Sequence, residues 1–129
     1  MPLARIDLIR NATTERVKIV SEVVYKAMIE IAGVPQHDKF QIITRHASDE
    51  IVYPAEGYLG QNYSRDLILI QVTWVGGRSI EVKKKFYQQI ADEIHERAGV
   101  RKDDVWISLV ESNREDWSFG GGIMQYAPK

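Results

Sequence analysis

The sequence has no cysteine, no long apolar run and almost no net charge, and each absence excludes a class of protein. Without cysteine among its 129 residues, the chain has no disulfide, thiolate metal site or cysteine nucleophile, which suits a reducing cytosol. Seventeen basic residues against eighteen acidic ones leave a formal charge of −1, so we expect no broad attraction to nucleic acid or to a membrane. No apolar run approaches the roughly 20 residues of a membrane helix. The sequence predicts a soluble, cytoplasmic protein.

Histidine is also scarce, and its positions give no sign of a metal site. The three histidines, His37, His46 and His95, do not show the spacing of metal ligands. With no cysteine to add to them, we expect no metal site. The glycine run near the carboxyl end does not follow a strand and lacks the lysine of a phosphate-binding loop.

What the sequence does contain is an internal repeat. A shift of 66 residues aligns Asp38 with Asp104, Gly33 with Gly99 and the apolar Val24 with Ile90, without a gap. The matching segments are about residues 1–46 and 67–112, followed by a tail over 113–129. We therefore expect one domain over residues 1–129 that is built by duplication.

Each half has the pattern of a strand, a helix and a second strand. "LARIDL" alternates apolar and polar residues, and its repeat mate "LILIQVTW" is more continuously apolar, as expected of a more buried strand. "KFQIIT" and "DVWISLV" supply the second strands. Two tandem βαβ units predict an α/β (α+β) fold, in which a four-stranded mixed sheet carries two helices on one face.

The helix boundaries are marked in both halves. Thr13 and Ser79 are good N-caps, because their hydroxyls accept hydrogen bonds from the first free backbone N–H groups. Apolar residues then recur at spacings of three and four, which predicts amphipathic helices. Gly33 and Gly99 are expected to end these helices.

Two segments have no repeat counterpart. Residues 47–65 are long for a loop in a small domain, which predicts either a functional loop or a short strand around "EIVYP". The tail reads "NREDWSFGGGIMQYAPK" after Ser112. Its three consecutive glycines predict a hinge, and "IMQY" predicts a short strand that packs elsewhere, for example on a neighbouring subunit.

The predicted topology brings distant residues to one edge of the sheet. Strands within a βαβ unit are parallel, so Asp38, before the second strand, lies at the edge where the first strand begins at Pro2. If a pseudo-twofold axis relates the halves, the third strand runs antiparallel to the first and delivers Arg78 to that edge. The exit of the fourth strand brings Trp117 and Phe119 there as well.

These residue types suit a site for a small acid. Removal of Met1 would make the Pro2 nitrogen a free secondary amine, whose pKa lies near neutrality and responds to its surroundings. Arg78 can bind a carboxylate or polarise a carbonyl, and Asp38 can accept a proton or orient a water molecule. Each residue also has a purely structural explanation: Asp38 and its mate can close equivalent turns, and aromatic residues are common in cores and interfaces.

Three short motifs give the chain a family resemblance: "GVPxxD" over 33–38, "GRS" over 77–79 and "DWSFG" over 116–120. With them, the chain resembles the tautomerase superfamily, and within it the malonate semialdehyde decarboxylase group. The resemblance implies a β-α-β fold, a homotrimer and cofactor-free catalysis. It also implies roles for the residues already singled out, with a catalytic proline at Pro2, a carboxylate acting with water at Asp38 and a substrate-binding, catalytic arginine at Arg78. Trp117 and Phe119 would form the pocket wall and contact the substrate.

One position departs from the family pattern. Several members carry two arginines separated by one residue before the second helix, and the first of these positions is Gly76 here. Only Arg78 remains. Binding of a substrate carboxylate and polarisation of its carbonyl must therefore share one guanidinium or use another donor.

The expected activity depends on the protonation state of Pro2. A cationic Pro2 paired with Asp38 suits decarboxylation of a 3-oxo acid such as malonate semialdehyde, or hydration of an acetylenic acid. A neutral Pro2 suits keto-enol tautomerisation of a 2-oxo acid such as phenylpyruvate. Two alternatives stay open: a module that binds metabolites without transforming them, and a structural trimer that has lost its activity, consistent with Gly76.

Overall fold

The structure is a computed structural model that describes residues 2–127 of the chain. It contains four strands and two long helices, with two short 3₁₀ turns at Lys102–Asp104 and Arg114–Asp116. The elements are β1 (Leu3–Ile9), α1 (Thr14–Glu30), β2 (Gln41–His46), β3 (Ile68–Val75), α2 (Ile80–Ala98) and β4 (Val105–Ser112). No helix among the described residues is both long and apolar enough to cross a membrane.

The four strands form one mixed sheet in the order β2-β1-β3-β4. β1 is parallel to β2, β3 is parallel to β4, and the two central strands, β1 and β3, are antiparallel. Helices α1 and α2 contact each other on one face of the sheet. The predicted fold class is confirmed.

The hydrogen-bond register between β1 and β3 obeys the symmetry of the repeat. Leu3 lies opposite Thr73, and Asp7 lies opposite Leu69. A shift of 66 residues exchanges these two pairs, so the same operation that aligns the two halves in sequence relates them in space. A pseudo-twofold axis therefore passes between β1 and β3.

Both helices begin at the hydroxyl caps that the sequence indicates. The Thr13 side chain accepts a hydrogen bond from the Arg16 N–H at 3.0 Å, and the Ser79 side chain accepts one from the Val82 N–H at 3.2 Å. These bonds satisfy backbone donors that have no partner inside a helix.

The helices end differently. Gly99 caps α2 in the left-handed conformation with φ 68°, as predicted. The last residue of α1 is Glu30, three residues before Gly33, so the predicted end of this helix was too late. Gly33 also has a positive φ, and it turns the chain so that the Val34 N–H returns to the Met28 carbonyl at 2.9 Å.

The core lies between the helices and one face of the sheet. Its largest side chains, Trp74 and Phe86, have ring centroids 5.1 Å apart and are fully buried. The alternation of a strand sends other side chains to the opposite face. There Ile42 on one edge strand, and Trp106 and Val110 on the other, remain 40%, 44% and 40% exposed, so apolar residues at both edges of this face are left partly open.

The long segment over 47–65 contains no strand, so of the two predicted alternatives, a loop or a short strand around "EIVYP", the structure has the loop. A single bridge joins Tyr58 and Gln61. The segment is instead attached to the turn before β4, where the Asn62 N–H donates to Asp103 at 3.0 Å and the Ser64 N–H donates to Asp104 at 2.7 Å. It is a loop held by side-chain carboxylates.

The prediction of a strand at "IMQY" was wrong, because the tail folds into turns. The three glycines of 120–122 all have positive φ and reverse the chain. The Gln125 amide closes this reversal, accepting from the Phe119 N–H at 2.9 Å and donating to the Gly120 carbonyl at 3.2 Å. The glycines therefore form a turn that returns the tail to its own chain.

Candidate active site

Pro2 lies at the edge of the core, immediately before β1, and is buried. Leu3 pairs with Thr73 in the antiparallel ladder. Pro2, one residue before Leu3, therefore lies beside Trp74, one residue after Thr73. The alternation of β1 puts Pro2 on the same side of the sheet as Ala4, which is the side covered by the helices. The start of the chain is thus positioned next to the strand that leads to Arg78.

Backbone carbonyls and an aromatic ring hold Arg78 in one orientation. Its Nε donates to the Ala32 carbonyl and its Nη1 to the Val75 carbonyl, both at 2.9 Å. The guanidinium carbon lies 4.3 Å from the centroid of the Trp74 ring, a cation–π contact. Its Nη2 makes no hydrogen bond within residues 2–127, which leaves an N–H fork for a ligand.

The electrostatic setting of Arg78 favours an anionic ligand. Burial lowers the pKa of the Arg78 guanidinium from its usual value, and the nearby carboxylate of Glu111 opposes this shift. An arginine stays protonated at physiological pH regardless. Glu111 accepts hydrogen bonds from the Gly77 N–H and the Lys83 amine, each at 3.3 Å. Arg78 is therefore a partly desolvated cation, and such cations bind carboxylates more strongly than exposed ones.

Asp38 lies at the same edge as Pro2. The Ala4 N–H donates to the Phe40 carbonyl at 3.0 Å, which fixes the segment before β2 alongside the start of β1. Asp38 is two residues before Phe40, and both of its carboxylate oxygens are buried. The segment that carries Asp38 therefore runs beside the start of the chain.

The repeat mate of Asp38 shows what this position does in the other half. Both residues close the same turn: the Asp38 N–H donates to the Pro35 carbonyl at 3.2 Å, and the Asp104 N–H donates to the Arg101 carbonyl at 2.9 Å. Asp104 is fully buried, and its carboxylate accepts from the N–H and hydroxyl of Ser64, in the segment that leads into β3.

The aromatic residues after β4 form a wall along the same edge. The Trp117 indole N–H donates to the Ser112 hydroxyl at 2.8 Å, and this hydroxyl donates to the Trp74 carbonyl at 3.0 Å. The rings of Trp117 and Phe119 stack with centroids 5.6 Å apart and planes 11° apart. Phe119 also approaches Phe40, with centroids 6.4 Å apart. The wall thus joins the exit of β4 to the entry of β2.

Sequence reasoning missed three residues of this arrangement. Ser112 orients Trp117, Phe40 extends the wall, and Tyr126 meets Phe119 edge-on with centroids 5.4 Å apart. Phe40 has an aromatic repeat mate and therefore resembled an ordinary core position. Ser112 and Tyr126 carried no signal in the sequence, because their contacts depend on how the tail folds back.

The structure thus brings the five sequence-predicted residues to one edge of the sheet, on four separate segments. The chemical roles of Pro2, Asp38, Arg78, Trp117 and Phe119 stay a prediction. Among residues 2–127, no group of three or more His, Asp or Glu side chains is arranged to hold a metal ion.

Comparison with known proteins identifies the class to which this fold and edge belong. A family model described as "Tautomerase enzyme" matches residues 38–120, and a second model of the same description matches residues 2–60. Two relatives come from Bacillus subtilis (strain 168). "Probable tautomerase YrdN" is 34% identical over 98% of this chain and 96% of its own length. "Probable tautomerase YusQ" is 38% identical over 97% of this chain and 98% of its own length. The chain belongs to the tautomerase superfamily.

Solved structures narrow the resemblance within that superfamily. FG41 malonate semialdehyde decarboxylase inhibited by 3-bromopropiolate is 35% identical, with a TM-score of 0.87 over 96% of this chain and 93% of that chain. A second malonate semialdehyde decarboxylase, described with its decarboxylase and hydratase activities, is 32% identical, with a TM-score of 0.87 over 96% and 95% of the two chains. The predicted likeness to this group is confirmed.

Proposed function

We propose that this tautomerase-superfamily enzyme decarboxylates a small 3-oxo acid such as malonate semialdehyde, using the amine of Pro2 after removal of Met1. The observation that carries the proposal is the fixed guanidinium of Arg78, which the carbonyls of Ala32 and Val75 hold over the Trp74 ring. Trp74 is the strand residue beside Pro2. A small carboxylate bound to Arg78 would lie within reach of the start of the chain. No cofactor is needed for this reaction.

In the proposed mechanism, Arg78 and the protonated Pro2 amine together bind the substrate carboxylate and polarise its carbonyl. Several other members of the superfamily have two arginines for these tasks. Arg78 binds the substrate carboxylate, and the protonated amine of Pro2 donates a hydrogen bond to the carbonyl oxygen. The bond between the carboxylate carbon and C2 breaks and CO₂ leaves. The electron pair of this bond forms a C2–C3 double bond, and the π pair of the carbonyl moves onto its oxygen, which gives an enolate. The Pro2 amine stabilises this developing charge. Protonation of C2 by Pro2 then gives acetaldehyde, and solvent restores the proton.

Asp38 and the aromatic wall have supporting roles in this proposal. The buried carboxylate of Asp38 favours the protonated form of the amine, because an opposite charge nearby stabilises a cation. Trp117 and Phe119 exclude water, which weakens the solvation of the substrate carboxylate and favours its loss as neutral CO₂. The same arrangement with an ordered water supports hydration of an acetylenic acid.

A second candidate is keto-enol tautomerisation of a 2-oxo acid such as phenylpyruvate. The wall of Phe40, Trp117 and Phe119 favours it, since stacked rings suit an aromatic substrate. In that reaction a neutral Pro2 removes a proton from C3 and returns it to oxygen. A nitrogen NMR titration of the Pro2 amine distinguishes the two: decarboxylation requires the cation at neutral pH and tautomerisation requires the free base.

The test is a substrate screen on the wild type and Pro2→Ala together, with malonate semialdehyde and phenylpyruvate. We expect wild-type turnover of malonate semialdehyde and a loss of at least about 100-fold in Pro2→Ala, because acid–base catalysis by a positioned group contributes about 10²–10⁴-fold. Circular dichroism checks that the variant is folded. Full activity in Pro2→Ala, or a wild-type protein whose intact mass retains Met1, contradicts the proposal. Ligand binding without turnover of either substrate would instead favour a metabolite-binding module.

We also propose that the chain assembles as a homotrimer, as the family resemblance implies. The partly exposed Ile42, Trp106 and Val110 on the face opposite the helices support burial against further copies. Light scattering coupled to size exclusion measures the mass directly. A monomer at micromolar concentration contradicts this assembly.

A further inference from the structure

A second pocket lies at the end of the sheet opposite Pro2, where β1 and β2 finish and β3 begins. Its volume is about 390 Å³, within the range of small-molecule sites. Its polar lining comes from Arg10, Asn11, His46, Ser48, Tyr53 and Arg65. The residues assigned to the Pro2 site do not line it.

This pocket is the counterpart of the Pro2 site in the first repeat. The Arg10 N–H donates to the His46 carbonyl at 2.7 Å, and the Gly76 N–H donates to the Ser112 carbonyl at 3.0 Å. The shift of 66 residues converts the first bond into the second. The two hydrogen bonds close the same end of the two parallel strand pairs, so the same edge exists twice in the molecule.

The apolar side chains that line this pocket correspond to the aromatic wall of the Pro2 site. Ile51 and Tyr53 line the pocket, and the repeat shift carries them onto Trp117 and Phe119. Tyr53 meets Tyr63 edge-on, with ring centroids 6.1 Å apart, as Phe119 meets an aromatic partner in the second half. An apolar wall beside the closing strand pair is therefore common to both ends.

The chemistry of the two ends differs at the positions that matter for catalysis. Ile68 occupies the place of Pro2, and the chain runs on through Leu67 into β3, so no terminal amine exists here. Ala12 occupies the place of Arg78. The pocket therefore lacks the groups that the proposed reaction needs.

The pocket nevertheless has two cations that the Pro2 end lacks. Arg10 stands where the second half has Gly76, and Arg65 joins it from the loop before β3. Within residues 2–127, neither guanidinium pairs with a carboxylate. Three acids near the pocket have other partners: Asp7 contacts His46 of the lining at 2.6 Å, Asp66 contacts Arg16 at 3.1 Å, and Glu50 accepts from the Ala47 N–H at 2.6 Å.

We propose that this pocket binds a small carboxylate anion without transforming it. Two unpaired guanidiniums at one concavity favour an anion, and Tyr53 with Ile51 offers it an apolar side. The choice of a carboxylate rests on the proposed function of the Pro2 site, because the duplication gives both ends of the sheet the same backbone arrangement. Binding here does not require turnover at Pro2.

The test is an amide NMR titration of the full-length protein with malonate as the probe. We expect saturable shifts of the Asn11 and Ser48 signals in the wild type. Arg10→Gln and Arg65→Gln each weaken this binding by at least about tenfold, since a charge-assisted hydrogen bond is lost. Lys84→Gln, at an exposed cation of α2 outside the pocket, leaves the affinity unchanged and serves as the control for the loss of one positive charge.

The same titration on Arg78→Gln distinguishes the two ends. Shifts of Asn11 and Ser48 that persist in this variant support an independent site, even if the wild type decarboxylates nothing. Shifts that vanish in Arg78→Gln come from the Pro2 end and overturn the proposal. Absence of any shift at Asn11 and Ser48, or equal affinity in Arg10→Gln and Lys84→Gln, overturns it too.

Discussion

The guanidinium of Arg78 lies over the Trp74 indole, 4.3 Å from its centroid, and the other contact of that ring is with Phe86 in the core. Trp74 therefore couples the position of the site's cation to the packing between the sheet and α2. The arginine is oriented by the fold itself, through a ring and two backbone carbonyls, before any ligand arrives.

Replacement of Arg78 by lysine tests this orientation. A lysine has one compact charge and cannot bind the Ala32 and Val75 carbonyls while presenting a planar fork to a carboxylate. We expect Arg78→Lys to raise KM for malonate semialdehyde by at least about tenfold, the loss of one charge-assisted hydrogen bond. Steady-state kinetics measures this, with Arg101→Lys as an exposed control. An unchanged KM in Arg78→Lys would show that charge alone suffices.

Ser112 connects the aromatic wall to the sheet, through the Trp117 indole at 2.8 Å and the Trp74 carbonyl at 3.0 Å. We expect Ser112→Ala to lower the free energy of unfolding by about 1–3 kcal/mol and to lower kcat/KM, because Trp117 loses its fixed orientation. Urea denaturation and kinetics measure the two effects. Ser108→Ala, on the same strand, should change neither. Equal behaviour of the two variants would remove Ser112 from the site.

Gly76 is the position at which the family's other arginine is missing. A Cβ added there would lie 2.8 Å from a carboxylate oxygen of Glu111, the far end of a flexible side chain that can move away. We expect Gly76→Arg to fold and to lower KM for malonate semialdehyde by about threefold to tenfold, as one added exposed cation contributes about 1 kcal/mol. Gly77→Arg is the contrasting control, because Gly77 has φ 117° and a side chain there is strained. A higher KM in Gly76→Arg contradicts the expectation.

Phe86 supports Trp74 from α2 and is fully buried. We expect Phe86→Ala to lower the free energy of unfolding by about 3–5 kcal/mol, because it leaves a cavity against Trp74. Its neighbour Tyr87 is 37% exposed, and Tyr87→Ala should cost less than about 1 kcal/mol. Chemical denaturation of both variants measures the difference, and similar losses would show that the ring pair does not anchor the core.

The contact between α1 and α2 predicts a dependence of stability on pH. A hydrogen bond from Arg97 lowers the pKa of the Glu22 carboxyl below its usual range, and the charge of Arg97 adds to this effect. A lowered pKa in the folded state means that the contribution is present at neutral pH and is lost as the pH falls below about 4. We expect Glu22→Gln to be less stable than the wild type at pH 7, and we expect this difference to shrink as the Glu22 carboxyl of the wild type becomes protonated in acid. Glu56→Gln, in the loop, should match the wild type at pH 7 and in acid.

Local patterns predicted the starts of both helices and the alternation of the strands correctly, although α1 ends before Gly33. Thr13 and Ser79 cap their helices through residues three positions away, and strand alternation depends only on neighbours. The repeat then supplied the antiparallel pairing of β1 and β3, because symmetry restricts how two equal halves can pair. The edge that brings Pro2 near Arg78 follows from that topology.

In two segments outside the repeat, the prediction was wrong or left two alternatives open. "IMQY" has the composition of a strand, but the glycines before it reverse the chain and Gln125 closes the turn. The segment over 47–65 has strand-like residues near Tyr53, but the carboxylates of Asp103 and Asp104 hold it as a loop. In the loop, the deciding partners are side chains outside the segment. In the tail, Gln125 of the segment itself bonds to backbone groups of residues that precede the segment.

The amino-acid sequence alone determined the duplication, the strand and helix order and the residue types at one edge of the sheet, because periodicity and capping act over a few positions. Only the tertiary structure decided three features: Ser112 orients Trp117, the Arg78 guanidinium lies over the Trp74 ring, and Arg10 and Arg65 line one pocket. The physical reason is that each of these depends on which distant backbone and side-chain groups the folded sheet brings within hydrogen-bonding or packing distance.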